Sequence, residues 1–223
     1  MKVQAVLFDM DGILLDTEVL GKELFIKYTE EQGYDYIEGS YEHLLGTNST
    51  ATVRLGKEDY GNDFPIQSIL SKMHEEYKQL AKQGKLPVKE GSVKCLQGLK
   101  ERNIKIALVT STARNAVNGY ATHLPEIYNQ MDVIVCGDEI EKSKPHPDIY
   151  QKAMELLGVP SEKCLGVEDS LNGLKSLTAA NVESVMVPDI LPYGEKFAPY
   201  TKHCISSLNE LCHLVDALML LPD

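Results

Sequence analysis

Long apolar runs are missing from this chain of 223 residues, and so is any surplus of positive charge. No uninterrupted hydrophobic stretch approaches the roughly 20 residues that span a bilayer, so no membrane helix is expected. The first apolar run, beginning at Val3, is cut short at Asp9 and does not read as a secretory signal core. Lysine and arginine number 22 against 33 aspartates and glutamates, a formal net charge of -11. That balance argues against binding the phosphate backbone of nucleic acid as a main function. It does not exclude a small anionic substrate, which responds to local charge. Cysteines are few and scattered: Cys95, Cys136, Cys164, Cys204 and Cys212 are odd in number and form no C-x-x-C pair. Neither a zinc site nor a disulfide framework is expected, and a reducing compartment, the cytoplasm, is the expected location. Internal repeats and low-complexity segments are also absent.

What remains is ordinary globular composition, 43% hydrophobic and 25% charged, in a length that suits one large domain or two modest ones. The most informative run is Val3-Gln4-Ala5-Val6-Leu7-Phe8-Asp9-Met10-Asp11-Gly12. An apolar strand delivers two carboxylates at its end. Charge beside a buried strand is costly unless something neutralises it. Asp9 and Asp11, at i and i+2, would share one side of an extended chain. Two carboxylates held that close repel, so a cation between them is the natural resolution. Gly12 then permits a sharp turn.

From about residue 91 the chain alternates. Val93–Glu101 carries apolar residues at helical spacing, Ile104–Val109 reads as a buried strand, and Ala113–Thr122 as a helix. Asp132–Cys136 is a short apolar strand, and Asp148–Leu157 an amphipathic helix stopped by Gly158. Cys164–Val167 reads as a strand, Leu171–Ala180 as a helix, Ser184–Val187 as a strand and Leu208–Leu218 as a closing helix. Strands alternating with helices imply crossovers and a parallel sheet, to which Val3–Phe8 belongs. Residues from Thr17 to Pro87 differ. Leu20, Leu24 and Tyr28 mark one helix ending at Gly33, and Ile69, Leu70, Met73, Tyr77 and Leu80 mark one face of another over Ile66–Ala81. The fold class expected is α/β, with a Rossmann-like parallel-sheet core of residues 1–16 and 89–223 and an inserted α-helical domain at 17–88.

Open parallel sheets bind ligands outside the carboxyl ends of their strands. Here the first strand ends in Asp9 and Asp11, and the second in Thr110 and Ser111. The third leads to a loop with Lys142, Ser143, Lys144 and Pro145, and the fourth ends in Glu168 and Asp169. One sheet edge thus gathers four carboxylates, two hydroxyls and a lysine. Carboxylate oxygens suit a hard cation such as Mg²⁺, while a lysine, a hydroxyl and helix-start amides suit a phosphate. Each piece alone has a plainer reading. Glu168-Asp169-Ser170 could cap the Leu171 helix, Thr110-Ser111-Thr112 could cap the next one, and Lys144 and His146 could be solvated loop residues. The functional reading rests on all four strand ends agreeing.

With these residues in view, the whole chain resembles a phosphatase of the haloacid dehalogenase superfamily with a helical cap. Its first motif is matched by Asp9-Met10-Asp11-Gly12 with Asp16-Thr17, and its second by Thr110, with Ser111 beside it. Its lysine is matched by Lys144-Pro145 with Asp148 further on, and its acidic motif by Glu168-Asp169-Ser170, with Gly173 and Ala179-Ala180 after it. The resemblance implies Asp9 as nucleophile and Asp11 as general acid and then base. It implies Mg²⁺ held by Asp9, the Asp11 carbonyl and Asp169 with Glu168 near, and the phosphoryl group held by Thr110, Ser111 and Lys144. The second aspartate favours phosphoryl transfer over dehalogenation. Within the superfamily the chain looks most like beta-phosphoglucomutase and related sugar-phosphate phosphatases. The mutases it resembles carry a histidine and an arginine where Gly21 and Ser49 stand here, and Arg54 or Arg114 would have to replace the arginine. The expected activity is therefore hydrolysis of a small phosphorylated metabolite by a monomer, with a phosphosugar mutase and a non-enzymatic metal- or phosphate-binding scaffold as alternatives.

Overall fold

The computed structural model describes residues 2–45, 47 and 49–220. Six parallel strands form one sheet in the order β3-β2-β1-β4-β5-β6. They are β1 (Ala5–Phe8), β2 (Lys105–Thr110), β3 (Val133–Cys136), β4 (Cys164–Glu168), β5 (Glu183–Met186) and β6 (His203–Cys204). The sequence places the first five within about two residues at either end. The sixth has no counterpart in the sequence pattern: it is a two-residue edge strand with a polar first residue, too short to carry a period.

β1 lies at the centre, and its four residues alternate between the sheet's two faces. Val6 and Phe8 join a core with Leu96 and Leu99 of α5 (Ser92–Glu101), Val117 and Tyr120 of α6 (Arg114–Ala121), Ile127 and Tyr128 of α7 (Pro125–Tyr128), and Leu211 and Val215 of α10 (Leu211–Leu220). Ala5 and Leu7 join Ile149, Tyr150, Ala153 and Leu157 of α8 (Asp148–Leu157), and Leu177 of α9 (Leu171–Ala179). Burial on both faces is why the strand reads as an unbroken apolar run, not an alternating one.

Between β1 and α5 stand four further helices: α1 (Thr17–Glu31), α2 (Ser40–Leu44), α3 (Ser49–Tyr60) and α4 (Ile66–Lys82). Periodicity marks α1 and α4, whereas α2 and α3 are too short or too polar to show one. This layer has its own core, in which Phe25 sits 5.7 Å from Tyr41 and 6.4 Å from Phe64, ring centre to ring centre. The two connectors to the sheet run side by side. The Asp16 amide donates to Pro87 O at 2.9 Å, and the Lys89 amide to Leu14 O at 3.0 Å. Among the described residues no helix is long and apolar enough to cross a membrane.

Candidate active site

β1 pairs with β2 and β4 in a register that sets Phe8 beside Leu108 and Val167. The next residues of all three strands therefore emerge together at the carboxyl edge. The Asp9 amide donates to Val167 O at 3.0 Å, which fixes the first carboxylate beside Glu168. The order of the sheet reverses on either side of β1, so this is also where a crevice opens.

Lys144 enters from the loop before α8. It is 7% exposed, so the solvated-loop reading does not apply. Its Nζ donates to Asp9 Oδ1 and to Glu168 Oε1, both at 2.7 Å, and to Val109 O at 3.1 Å. Glu168, fully buried, also accepts from the Tyr150 hydroxyl at 2.6 Å and, through Oε2, from the Ser170 hydroxyl at 3.0 Å. Its Oε1 thus anchors Lys144 together with Tyr150, while Oε2 meets Ser170. A Cβ at Gly173 would lie 1.9 Å from the Glu168 carboxyl carbon, so only glycine fits at that turn of α9. Ser170 does cap α9, accepting from the Gly173 amide at 3.0 Å.

Asp11 is held differently. Thr17 donates to its Oδ1 at 2.7 Å and Thr112 to its Oδ2 at 3.0 Å. The carboxylate oxygens that converge, within 4.8 Å of one another, belong to Asp9, Glu168 and Asp169. Two hydroxyls thus engage the Asp11 side chain, while Asp9, Glu168 and Asp169 form the carboxylate cluster that could hold a cation. The hydroxyl run after β2 does not cap α6, whose N-cap is Ala113 with no side-chain bond. Thr110 is fully buried, its Oγ1 accepting from the Thr112 amide at 3.0 Å, while Ser111 and Thr112 face the crevice.

Electrostatics follow from crowding. Burial pushes the Asp9 carboxyl up to about 7, against the pull of Lys144 and helped by Glu168 and Asp11. Burial raises Asp11 as well, opposed by its two hydroxyl donors. Asp169 is driven well above the usual carboxylate range by burial and by Glu168, Asp9, Glu18 and Asp189. Lys144 is held above its usual value by Asp9 and Glu168, which outweigh its burial. Three carboxylates and one lysine leave the group short of positive charge. The all-oxygen donor set and that deficit both fit a hard divalent cation.

The crevice is a cavity of about 360 Å³ between the sheet edge and the helical layer. Asp9, Asp11, Ser111, Thr112, Lys144 and Asp169 form its floor, and Glu18, Tyr41, Leu44, Met73 and Tyr77 its roof. Glu18 accepts from Tyr41 Oη at 2.9 Å, and burial with Asp11 nearby pushes its carboxyl up to about 8. Lys144 is the only lysine or arginine among the described lining residues. Arg54 pairs with Glu58 at 2.6 Å, and Arg114 with Glu139 at 2.9 Å, so neither reaches the cavity. A Cβ at Gly21 would meet the Tyr41 and Tyr77 hydroxyls at 2.0 and 2.7 Å, so a larger side chain is shut out there. Ser49 opens α3, and its side chain lies outside the described residues.

The structure brings Asp9, Lys144, Glu168 and Asp169, all named from the sequence, to one sheet edge. It assigns no role to Glu18, Thr112 or Asp189. Thr112 carries a signal as the third hydroxyl of a run, and Asp189 as the acidic residue beyond the fifth strand.

The chain is similar to known proteins along most of its length. The profile of the haloacid dehalogenase-like hydrolase family matches residues 6–187. A phosphorylated carbohydrates phosphatase of Thermotoga maritima is 31% identical over 183 residues, 82% of this chain and 84% of its own length. A variant of CbbY from Rhodobacter sphaeroides, solved with xylulose-1,5-bisphosphate, superposes with a TM-score of 0.76 at 29% identity, over 94% of this chain and 96% of that one. Beta-phosphoglucomutase from Clostridium difficile, at 22% identity, shares the fold with a TM-score of 0.75 over 98% of this chain and all of its own.

Proposed function

The chain belongs to the haloacid dehalogenase-like hydrolase family, and from that premise we propose that it is a Mg²⁺-dependent phosphatase of a small sugar monophosphate. The observation that carries the reading is Lys144 clamped on Asp9 at 2.7 Å, with Asp11 positioned separately by two hydroxyls. One carboxylate is thereby set up to attack and the other to move a proton.

In this account Asp9 attacks phosphorus through a carboxylate oxygen and forms an aspartyl phosphate. Asp11, whose carboxyl is raised by burial, gives its proton to the departing sugar oxygen. It then takes a proton from the water that cleaves the acyl phosphate and releases inorganic phosphate. Lys144, with Thr110 and Ser111, holds the phosphoryl oxygens as charge develops on them. Asp9, Asp169 and the Asp11 carbonyl would hold Mg²⁺, with Glu168 beside it. Bound there, the cation supplies the positive charge that lets a phosphate dianion approach the carboxylates.

Residues 17–88 act as a cap over a core of 1–16 and 89–223. Their separate aromatic core and the paired connectors support that division. Closure would exclude water from the leaving-group side of the cavity. A bisphosphate, such as the one bound to CbbY, has a second dianion to accommodate. Here the described lining offers it no second lysine or arginine, and the space at Gly21 is filled by tyrosine hydroxyls. Both points favour a monophosphate and hydrolysis over a mutase cycle.

A panel of sugar monophosphates, scored by phosphate release with Mg²⁺ and with EDTA, tests the proposal. Release that depends on Mg²⁺ is expected. Glucose 1-phosphate given with a trace of bisphosphate should yield inorganic phosphate. Conversion mainly to glucose 6-phosphate would replace the phosphatase with a mutase.

A further inference from the structure

The strand-end logic that found four acidic residues extends to β5. Three residues past its end, Asp189 turns its side chain back to the same sheet edge, where it is 6% exposed. Its two oxygens have different surroundings. Oδ1 accepts from the Lys89 ammonium. Oδ2 is buried and has no hydrogen-bond partner among the described residues. A buried carboxylate oxygen without a donor is costly, so a native structure that keeps one generally supplies the donor from something bound.

Where Oδ2 points is fixed by Gly12. A Cβ built there would lie 2.4 Å from Asp169 Oδ2 and 3.1 Å from Asp189 Oδ2. Both oxygens therefore border the same small space, which exists because residue 12 has no side chain. Gly12 also turns the chain with φ +75°, a conformation other residues rarely adopt. One wall of this space is a carboxylate of the cation cluster and the other is the orphaned oxygen of Asp189.

We propose that Asp189 is a positioning residue for the divalent-cation site, its Oδ2 accepting a hydrogen bond from a water carried by the cation. The inference rests on the cation reading given above. Metal sites commonly depend on such outer partners, which orient what the ligands hold. Asp189 adds a connection of its own. Lys89, which grips its Oδ1, also donates to Asp16 Oδ1 at 3.2 Å. Asp16 and Lys89 lie on the two connectors to the helical layer, so the water contact at one end of Asp189 is tied to those connectors at the other.

Mg²⁺ titration by calorimetry, without substrate, tests this on the wild type, Asp189→Asn and Lys89→Met. The amide keeps the shape of Asp189 but is a poorer acceptor and carries no charge. Asp189→Asn should bind Mg²⁺ about 10-fold more weakly or worse, while Lys89→Met, which keeps the carboxylate, stays within about threefold of wild type. Equal losses in both variants would show that the ion pair alone matters and would overturn the proposal. So would wild-type affinity in Asp189→Asn. Absence of Mg²⁺ binding by the wild type would remove the cation reading and this inference together. If Asp189→Asn does not fold, a crystal structure of the wild type with Mn²⁺ decides: a metal-bound water within hydrogen-bond reach of Oδ2 supports the proposal, and a dry contact overturns it.

Discussion

Replacing Lys144 by methionine separates charge from packing at the centre of the site. Methionine keeps most of the aliphatic stem that lies against Tyr150 but removes the ammonium, whose Nζ is 5.1 Å from the ring centre. Lost with it are two 2.7 Å charge-assisted bonds, to Asp9 and Glu168, and the 3.1 Å bond to Val109 O. Both carboxylates are buried, so breaking the group leaves uncompensated charge, a change that typically costs about 3–5 kcal/mol. The cost should shrink as the pH is lowered, because a protonated Asp9 carboxyl no longer needs a cation. Lys144 is also the largest influence holding the Asp9 carboxyl down, so in the variant that group should move above its value of about 7. Since the nucleophile must be ionised, the acid limb of the rate profile should shift to higher pH. Turnover at neutral pH should fall on the order of 10²–10³-fold, as when a preorganised oxyanion donor is removed. Chemical denaturation at pH 5 and pH 8, with kcat against pH on an aryl phosphate, reads all three effects. A variant with wild-type stability at pH 8 and an unmoved acid limb would refute the reasoning.

Two further outcomes follow from the same geometry. Asp11→Asn should slow phosphorylation of the enzyme by a sugar phosphate on the order of 10²–10⁴-fold, and by an activated aryl phosphate much less, because the aryl group departs without a proton; equal losses in rapid-quench measurements would remove Asp11 from the acid role. Glu18 favours its protonated form in the fold, so its contribution to stability is full below about 4.5 and is lost as the pH rises through about 8. Glu18→Gln should therefore be more stable than wild type at pH 8–9 in metal-free buffer, by a margin on the order of 1–3 kcal/mol, and equal pH dependence of denaturation in the two proteins would contradict this.

How far the chain can be read without its structure differs between the two layers. The sheet is legible because its strands are buried on both faces and therefore appear as short apolar runs, and because three of them give way to polar residues at Asp9, Thr110 and Glu168. The helical layer is harder. Its core around Phe25 is flanked by tyrosines such as Tyr36, Tyr41 and Tyr60, whose spacing marks no single face and whose hydroxyls reach polar partners. Residue type at a strand end also leaves the pairing open. Nothing local to Lys144 announces that it bridges 135 residues to Asp9. Nor does the composition of Thr110-Ser111-Thr112 say that the third hydroxyl holds Asp11 while the first is buried and accepts from the Thr112 amide. Glu18 and Asp189 acquire meaning only when the connectors fold beside the sheet edge.

The central claim is that Asp9 becomes phosphorylated during turnover. Rapid mixing with a radiolabelled sugar monophosphate and Mg²⁺, followed by acid quench, should trap label on the protein at a level that rises and decays with the turnover. The label should be released by hydroxylamine, as an acyl phosphate is, and tritiated borohydride, which expels the phosphate and reduces the acyl carbon to an alcohol, should leave tritium on a homoserine at position 9. Asp9→Asn should trap none and should turn over at least on the order of 10³-fold more slowly. Full phosphate release with no trapped label, or label on any other residue, would contradict the account.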